Sequence, residues 1–196
     1  MLYSDFFQEL TTRAPAPRVE VDLLAEIINS RHQGVGTVSF RWSDDFEMAQ
    51  WGTFLWMEEE RTSPHEEAFR DAVVFVNSIF KTDRPMRRII AAKELMHVFD
   101  DVDHRADTPD KFKMLLQEVA SQTLSEEASA IYLADRRALW KAILALVPPW
   151  IREPYLSEYP NNVKAAELAA RWWLPPNIAE AAMGPGYDLA RATFLP

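Results

Sequence analysis

The first half of the chain alternates between apolar and polar positions in patterns typical of one helix followed by three strands. Apolar residues recur at three- and four-residue intervals at Val21, Leu24, Ala25 and Ile28, which predicts a helix over residues 19–28. Residues 1–18, which include two prolines, are interpreted as a lead-in segment. Period-two alternation or a short continuous apolar run predicts strands over residues 35–42, 50–57 and 72–76.

The second half of the chain has helical spacing almost throughout. A first helix begins at Asp83, a candidate N-cap that is followed by Pro85 in the first turn, and it continues to His97. The same spacing predicts further helices over residues 109–122, 125–146, 163–173 and 176–183. Strands followed by helices predict an α+β fold, in which a small three-stranded mixed sheet packs on the first of these helices and the C-terminal half is mostly helical.

Composition adds that the chain is globular. Its 196 residues are enough for one well-buried domain, and 48% of them are hydrophobic, which is incompatible with disorder over most of the length. No apolar run approaches the roughly 20 residues that span a bilayer, and the N-terminus lacks a basic start followed by an apolar segment. These features predict a cytoplasmic protein with no membrane association.

Charge and cysteine content narrow the chemistry further. The chain has no cysteine, so disulfides, thiolate metal sites and a cysteine nucleophile are excluded, and any metal must bind through His, Asp or Glu. The formal charge of −9 repels phosphate backbones, and no local basic patch stands out along the sequence. We therefore expect no direct binding to nucleic acid.

The helix that begins at Asp83 carries polar residues on its inner face, in the run Lys93-Glu94-Leu95-Met96-His97. The preceding strand ends in Val76-Asn77, and the turn between them holds Arg84 and Arg87. Leu146-Val147-Pro148 and the run over residues 165–175 follow later. Taken in this order over residues 19–183, these elements resemble the ImmA/IrrE family of zinc metallopeptidases, whose helix bears H-E-x-x-H.

The resemblance implies an arrangement of domains and roles for particular residues. Residues 19–148 would form the metallopeptidase-like domain on its zincin-like helix, and residues 149–196 would form a helical subdomain packed on it. In the family, two His separated by four positions bind zinc and the Glu between them is the general base. Glu94 and His97 match the base and the second ligand, whereas Lys93 replaces the first His ligand. Asp135 and Glu127 are candidates for the third ligand.

Three interpretations of this stretch remain open. In the first, the metal is lost and Lys93 supplies a cation that pairs with Glu94, Asp135 or another carboxylate. In the second, a shifted metal site exists, because Glu94, His97 and Asp101 lie on one helical face and His104 follows just beyond the helix end. In the third, the acidic residues after His97 are a solvated helix end and His97 is a core histidine. Negative charge is unfavourable at a helix C-terminus, so local stability does not explain that acidic run.

The resemblance also implies a biological role. ImmA/IrrE proteins are usually regulators that act on a helix-turn-helix repressor and commonly occur with prophages or other mobile elements. With Lys93 in place of a ligand, the expected function is that of an inactive pseudo-peptidase without a cofactor, which regulates transcription by binding a protein partner. The alternative is an active, zinc-dependent endopeptidase with Glu94 as general base. A third possibility is an assembly component encoded in a mobile element.

Aromatic residues are concentrated in the first two predicted strands. Cross-strand aromatic pairs belong more often to a core than to a ligand cleft. We therefore expect core positions for the aromatic side chains at Phe40, Trp42, Trp51, Phe54 and Trp56.

Overall fold

The structure is a computed structural model, and it describes residues 1–14, 17–44, 51–58, 70–100 and 130–195. Within these ranges the helices are α1 (Tyr3–Arg13), α2 (Val21–Arg31), α3 (Arg84–Met96), α4 (Ala130–Leu146), α5 (Pro149–Arg152), α6 (Ala165–Trp172), α7 (Pro176–Met183) and α8 (Pro185–Phe194). The strands are β1 (Val35–Ser43), β2 (Gly52–Glu58) and β3 (Arg70–Asn77). The predicted α+β fold is confirmed. The helix predicted over residues 109–122 and the start of the one predicted over 125–146 lie outside the described residues.

The sheet is mixed, as predicted, with the strand order β1-β3-β2. β3 is central and runs parallel to β1 and antiparallel to β2. Side chains alternate between the two faces of a sheet, and the register places Phe40, Val74 and Phe54 in one row across it. That face packs on α3, where Ile90 approaches Gly52 at the start of β2.

One apolar core joins the sheet to the helices. Its largest fully buried side chains include Phe6 of α1, Phe54 of β2, Trp172 of α6 and Tyr187 of α8. The Tyr187 hydroxyl donates a hydrogen bond of 2.8 Å to the carbonyl of Val147, just after α4. The C-terminal helices therefore share the core of the sheet. None of the helices in the described ranges is long and apolar enough to cross a membrane.

Helix α1 was not predicted from the sequence, where residues 1–18 were interpreted as a lead-in. Phe6, Phe7 and Leu10 recur at helical spacing, and all three are buried. The hydroxyl of Tyr3 donates a 2.6 Å hydrogen bond to the carbonyl of Lys141 in α4. A helix as short as α1 is marginally stable by itself, so its amphipathic pattern was a weak signal in the sequence. Packing against α4 makes the segment part of the core.

The aromatic residues of the first two strands occupy different environments. Phe54 is 1% exposed and packs edge-on against Trp56, as expected for a core position. Phe40 and Trp51 are partly buried against the core. Trp42 is 44% exposed, which contradicts the expectation, because it lies near the end of β1 at an edge of the sheet.

Candidate functional site

Helices α3 and α4 pack against each other, and the charged residues of α3 lie at this contact. The N-terminus of α3 is capped. The carboxylate of Asp83 accepts a hydrogen bond from the backbone N–H of Met86, as predicted for an N-cap, and Pro85 lies in the first turn. The helix ends at Met96 and the chain continues through a 3₁₀ turn. The charged cluster formed there consists of Lys93, Glu94, His97, Asp100, Asp135 and Lys141.

Lys93 lies at the centre of the charged cluster and is 0% exposed. Its Nζ is 2.8 Å from Oδ2 of Asp135 and 3.0 Å from Oε1 of Glu94. Burial by itself lowers the pKa of Lys93, but the charges of Glu94 and Asp135 and their hydrogen bonds outweigh it and raise the pKa above its ordinary value. Lys93 is therefore a buried ammonium ion held between two carboxylates.

His97 contacts a carboxylate through each of its ring nitrogens. Nδ1 lies 2.9 Å from Oδ2 of Asp100, and Nε2 lies 3.0 Å from Oδ1 of Asp135 in a close but poorly aligned contact. Desolvation lowers the pKa of His97, but the contacts with Asp100 and Asp135 outweigh it and raise the pKa above its usual range. An imidazolium, which has a donor at both nitrogens, matches this environment.

Asp100 and Lys141 complete the charged cluster, and sequence reasoning missed their roles. Nζ of Lys141 lies 2.8 Å from Oδ1 of Asp100, and the hydrogen bond of His97 and the charge of Lys141 keep the pKa of Asp100 low despite its burial. The acidic residue after α3 is therefore explained by a tertiary ion pair. The only sequence signal was a lysine within the apolar pattern of α4.

Among the described residues, the charged cluster is electrically balanced when His97 is protonated. Lys93, His97 and Lys141 supply three positive charges, and Glu94, Asp100 and Asp135 supply three negative charges. Burial raises the pKa of Asp135, but Lys93 and His97 outweigh that effect and lower it. Buried charges are tolerated only when they are paired and hydrogen-bonded. Lys93 and His97 together carry the same charge as a divalent metal ion against Glu94 and Asp135.

The described residues at this position do not fit a zinc ion. An ammonium has no lone pair to coordinate a metal, and Nζ of Lys93 lies at contact distance from Glu94, which matches the general base, and from Asp135, a candidate third ligand. Both nitrogens of His97 face carboxylate oxygens. Among the described residues, no group of three or more His, Asp or Glu side chains is suited to hold a metal. The candidate ligands Asp101 and Glu127 lie outside the described residues.

Strand β2 lies directly against the charged cluster. A Cβ atom on Gly52 would meet Cγ2 of Ile90 at 2.6 Å and Cγ of Glu94 at 3.0 Å. The ring of Phe54 lies 6.3 Å from that of His97, measured between centroids. The absence of a side chain at Gly52 is therefore what allows the edge strand to approach the helix next to Glu94.

We expect Gly52→Ala to lower the free energy of unfolding by about 1–3 kcal/mol, because the new methyl group requires α3 or β2 to shift. Urea unfolding followed by circular dichroism measures this loss. Gly34→Ala is the matched control, since its Cβ would meet only the His32 ring, at 3.7 Å, and should change stability by less than about 0.5 kcal/mol. Equal losses in the two variants would contradict the close approach of β2 to α3.

We expect His97 to be more than half protonated at pH 6.5, since its pKa lies above the ordinary value of about 6.5. Because the pKa of His97 is higher in the folded chain than in the unfolded chain, protonation of His97 stabilises the fold. This contribution is fully present below the pKa of the unfolded chain and is lost as the pH rises through the pKa of the folded chain. Nitrogen chemical shifts of the two ring atoms in an NMR titration measure the protonation directly. His32 is the internal comparison, because burial lowers its pKa. If His97 lost its proton before His32, the charge assignment would be wrong.

Comparison of the chain with protein-family models, with curated proteins and with solved structures gives no match. Function is therefore inferred from the contacts of the charged cluster, together with the resemblance of the α3 motif to H-E-x-x-H. The structure brings Lys93, Glu94, His97 and Asp135 into one buried group.

Proposed function

We propose that this chain is a non-catalytic relative of the ImmA/IrrE metallopeptidases that regulates transcription by binding a protein partner, namely a helix-turn-helix repressor. The observation that supports this most strongly is the ammonium of Lys93 between Glu94 and Asp135. With protonated His97, it supplies two positive charges in the place where the family has a zinc ion. Lys93 in place of the family's first His ligand thus balances the charge of Glu94 and Asp135 without a metal ion.

The state of Glu94 also supports a loss of catalysis. A metallopeptidase needs an open coordination position for water and a carboxylate that can accept a proton from it. The carboxylate of Glu94 is 3.0 Å from the ammonium of Lys93, and the residue is buried. The ammonium of Lys93 thus occupies the side of this carboxylate where a metal-bound water would have to lie.

The edge of the sheet next to the charged cluster supports a protein partner. β2 lies at an edge of the sheet formed by the described strands, and peptide ligands commonly bind by adding a strand at such an edge. Leu55 and Met57 of β2 are 38% and 54% exposed, so the strand presents apolar side chains to solvent. A partner that covers β2 would bury these two side chains.

The proposal is tested with the purified protein and a helix-turn-helix repressor encoded beside it. We expect saturable binding in isothermal titration calorimetry, an uncleaved repressor on gels after long incubation with zinc, and no effect of a chelator on either result. The double variant Leu55→Asp with Met57→Asp should weaken binding at least about tenfold, because it places two charges in an apolar contact. Leu189→Asp, at an exposed apolar position of α8, is the matched control and should bind normally.

Other outcomes have defined meanings. Cleavage of the repressor that a chelator abolishes would overturn the proposal in favour of a zinc-dependent endopeptidase. Binding that the β2 variant leaves unchanged would remove β2 as the contact surface. Self-association without repressor binding would favour an assembly component.

A further inference from the structure

A cavity of about 300 Å³ lies where β1 meets the start of α3, at the opposite edge of the sheet from β2. Residues of β1 and of the first turns of α3 supply most of its wall. The residues that matter chemically are Phe40, Arg41, Trp42, Arg84, Arg87 and Arg88. The cavity is separate from the charged cluster, so it has no part in the proposed loss of metal.

The cavity is positively charged in an acidic protein. Among the described residues that line it are four arginines and two carboxylates, Glu20 and Asp22, so two positive charges are in excess there. The whole chain has a formal charge of −9, and this cavity is a local reversal of that sign. Positive charge concentrated in a concave site favours an anionic ligand.

Arg88 is the strongest indication that a ligand belongs there. It is buried, its Nη1 lies 3.1 Å from Oε2 of Glu20, and its Nη2 donates to the carbonyl of Val19. Nε of the same side chain has no hydrogen-bond partner among the described residues. Burial lowers the pKa of Arg88 to about 10. The charge of Glu20 raises this pKa, whereas the charges of Arg18 and Arg84 lower it further. The buried cation is thus only partly compensated by the protein.

A second arginine, Arg84, is available to a ligand. The guanidinium of Arg84 lies 3.1 Å from the ring centroid of Trp173, where Arg18 also packs, so stacking fixes its plane and leaves its N–H edge for an anion. Arg41 alternates with Phe40 and Trp42 along β1, so its side chain starts on the opposite face of the sheet and adds positive charge near the cavity without facing α3. A guanidinium binds carboxylate and phosphate groups in the same two-pronged geometry.

An aromatic wall lies beside these arginines. Phe40 and Trp42 are two residues apart on β1 and therefore share one face of the sheet, and both line the cavity. Trp42 was expected in the core but is exposed, and a ligand in the cavity would cover its ring. Ligand sites typically combine such an apolar wall with a few fixed polar groups.

We propose that this cavity binds a small organic anion, whose carboxylate or phosphate group is held by Arg84 and Arg88 and whose planar apolar part lies on Trp42. The two sources of negative charge share the same recognition chemistry, and the experiment separates them. Ligand binding there would connect β1 to the start of α3, on the side of the sheet away from the proposed protein partner.

The test is calorimetric titration of the full chain with three probes: adenosine monophosphate, indole-3-acetate and neutral adenosine. We expect saturable binding of at least one of the two anions, and adenosine should bind at least about tenfold more weakly than adenosine monophosphate if phosphate is recognised. Binding of the phosphate compound alone identifies a phosphate ligand, and binding of indole-3-acetate alone identifies a carboxylate ligand. Binding of both identifies a general anion site.

Variants locate the binding. Arg84→Gln should weaken anion binding about tenfold, because a charge-assisted hydrogen bond is lost, and the exposure of Arg84 means that the fold is preserved. Trp42→Ala should weaken the binding of the same anions. Arg137→Gln removes the same charge outside the cavity and should bind normally. The proposal is overturned if no probe saturates up to about 5 mM, if adenosine binds as well as its phosphate and indole-3-acetate does not bind, or if Arg84→Gln equals Arg137→Gln.

Discussion

Lys93→Met is expected to lower the free energy of unfolding by about 3–5 kcal/mol. The substitution keeps a side chain of similar length but leaves the carboxylates of Glu94 and Asp135 buried without their shared cation, which now lies 3.0 Å and 2.8 Å from them. Breaking a buried pair by removing one partner is costly because the remaining charge stays desolvated. Urea unfolding, followed by both tryptophan fluorescence and circular dichroism, measures the change.

A double variant separates loss of charge from loss of packing. Asp135→Asn added to Lys93→Met should cost less than the sum of the two single changes, since the pair that each single change breaks is removed as a unit. Lys164→Met is the matched control, because Lys164 is exposed and its loss should change stability by less than about 0.5 kcal/mol. Strict additivity, or a Lys93→Met variant as stable as the control, would show that Lys93 does not balance these carboxylates.

Phe6→Ala is expected to destabilise the protein by about 3–5 kcal/mol. Phe6 of α1 is fully buried, and its ring centroid lies 5.7 Å from that of Tyr3 and 5.2 Å from that of Phe99. Truncation leaves a cavity next to the 3₁₀ turn that holds His97. Thermal and urea unfolding both report the loss.

Leu2→Ala is the control for α1, because Leu2 is large, apolar and exposed, and it precedes the same helix. We expect a change of less than about 0.5 kcal/mol. If Phe6→Ala behaved like Leu2→Ala, residues 1–18 would be the peripheral lead-in that their sequence first indicated, and α1 would not belong to the core.

Strand periodicity explains why the fold was predictable. The strand predicted over residues 35–42 is observed as Val35–Ser43, and the one predicted over 72–76 as Arg70–Asn77. Side chains at the middle of a sheet alternate between two faces, so their pattern survives in the sequence. Helix α1 carries only a few apolar positions, so its helical conformation depends on tertiary packing that no local pattern contains.

Most members of the charged cluster were predictable from the sequence. Lys93 and Glu94 lie in the last turn of α3 and His97 follows directly, so their spacing places them near one another, and the resemblance to the metallopeptidases named Asp135 as a candidate. The pair of Asp100 and Lys141 joins residues 41 positions apart and requires knowledge of how α3 packs on α4. The apolar pattern around that lysine in α4 is a sequence signal, but it does not identify the partner.

The clustering of arginines in the cavity also could not be predicted from the sequence. No basic patch stood out along the chain, because the arginines concerned are spread from Arg41 to Arg88 and are diluted by acidic neighbours. The parallel pairing of β1 with β3 brings them together at the start of α3. Net charge describes the whole surface and says little about one concave part of it.

Metal content tests most directly whether Lys93 and His97 stand in place of zinc. The protein is purified without chelator, dialysed with zinc and analysed by inductively coupled plasma mass spectrometry beside His97→Ala. A cluster already neutralised by Lys93 predicts no zinc above the level in His97→Ala. A single zinc ion per chain in the wild type, lost in His97→Ala, would contradict that role of Lys93 and favour a metallopeptidase.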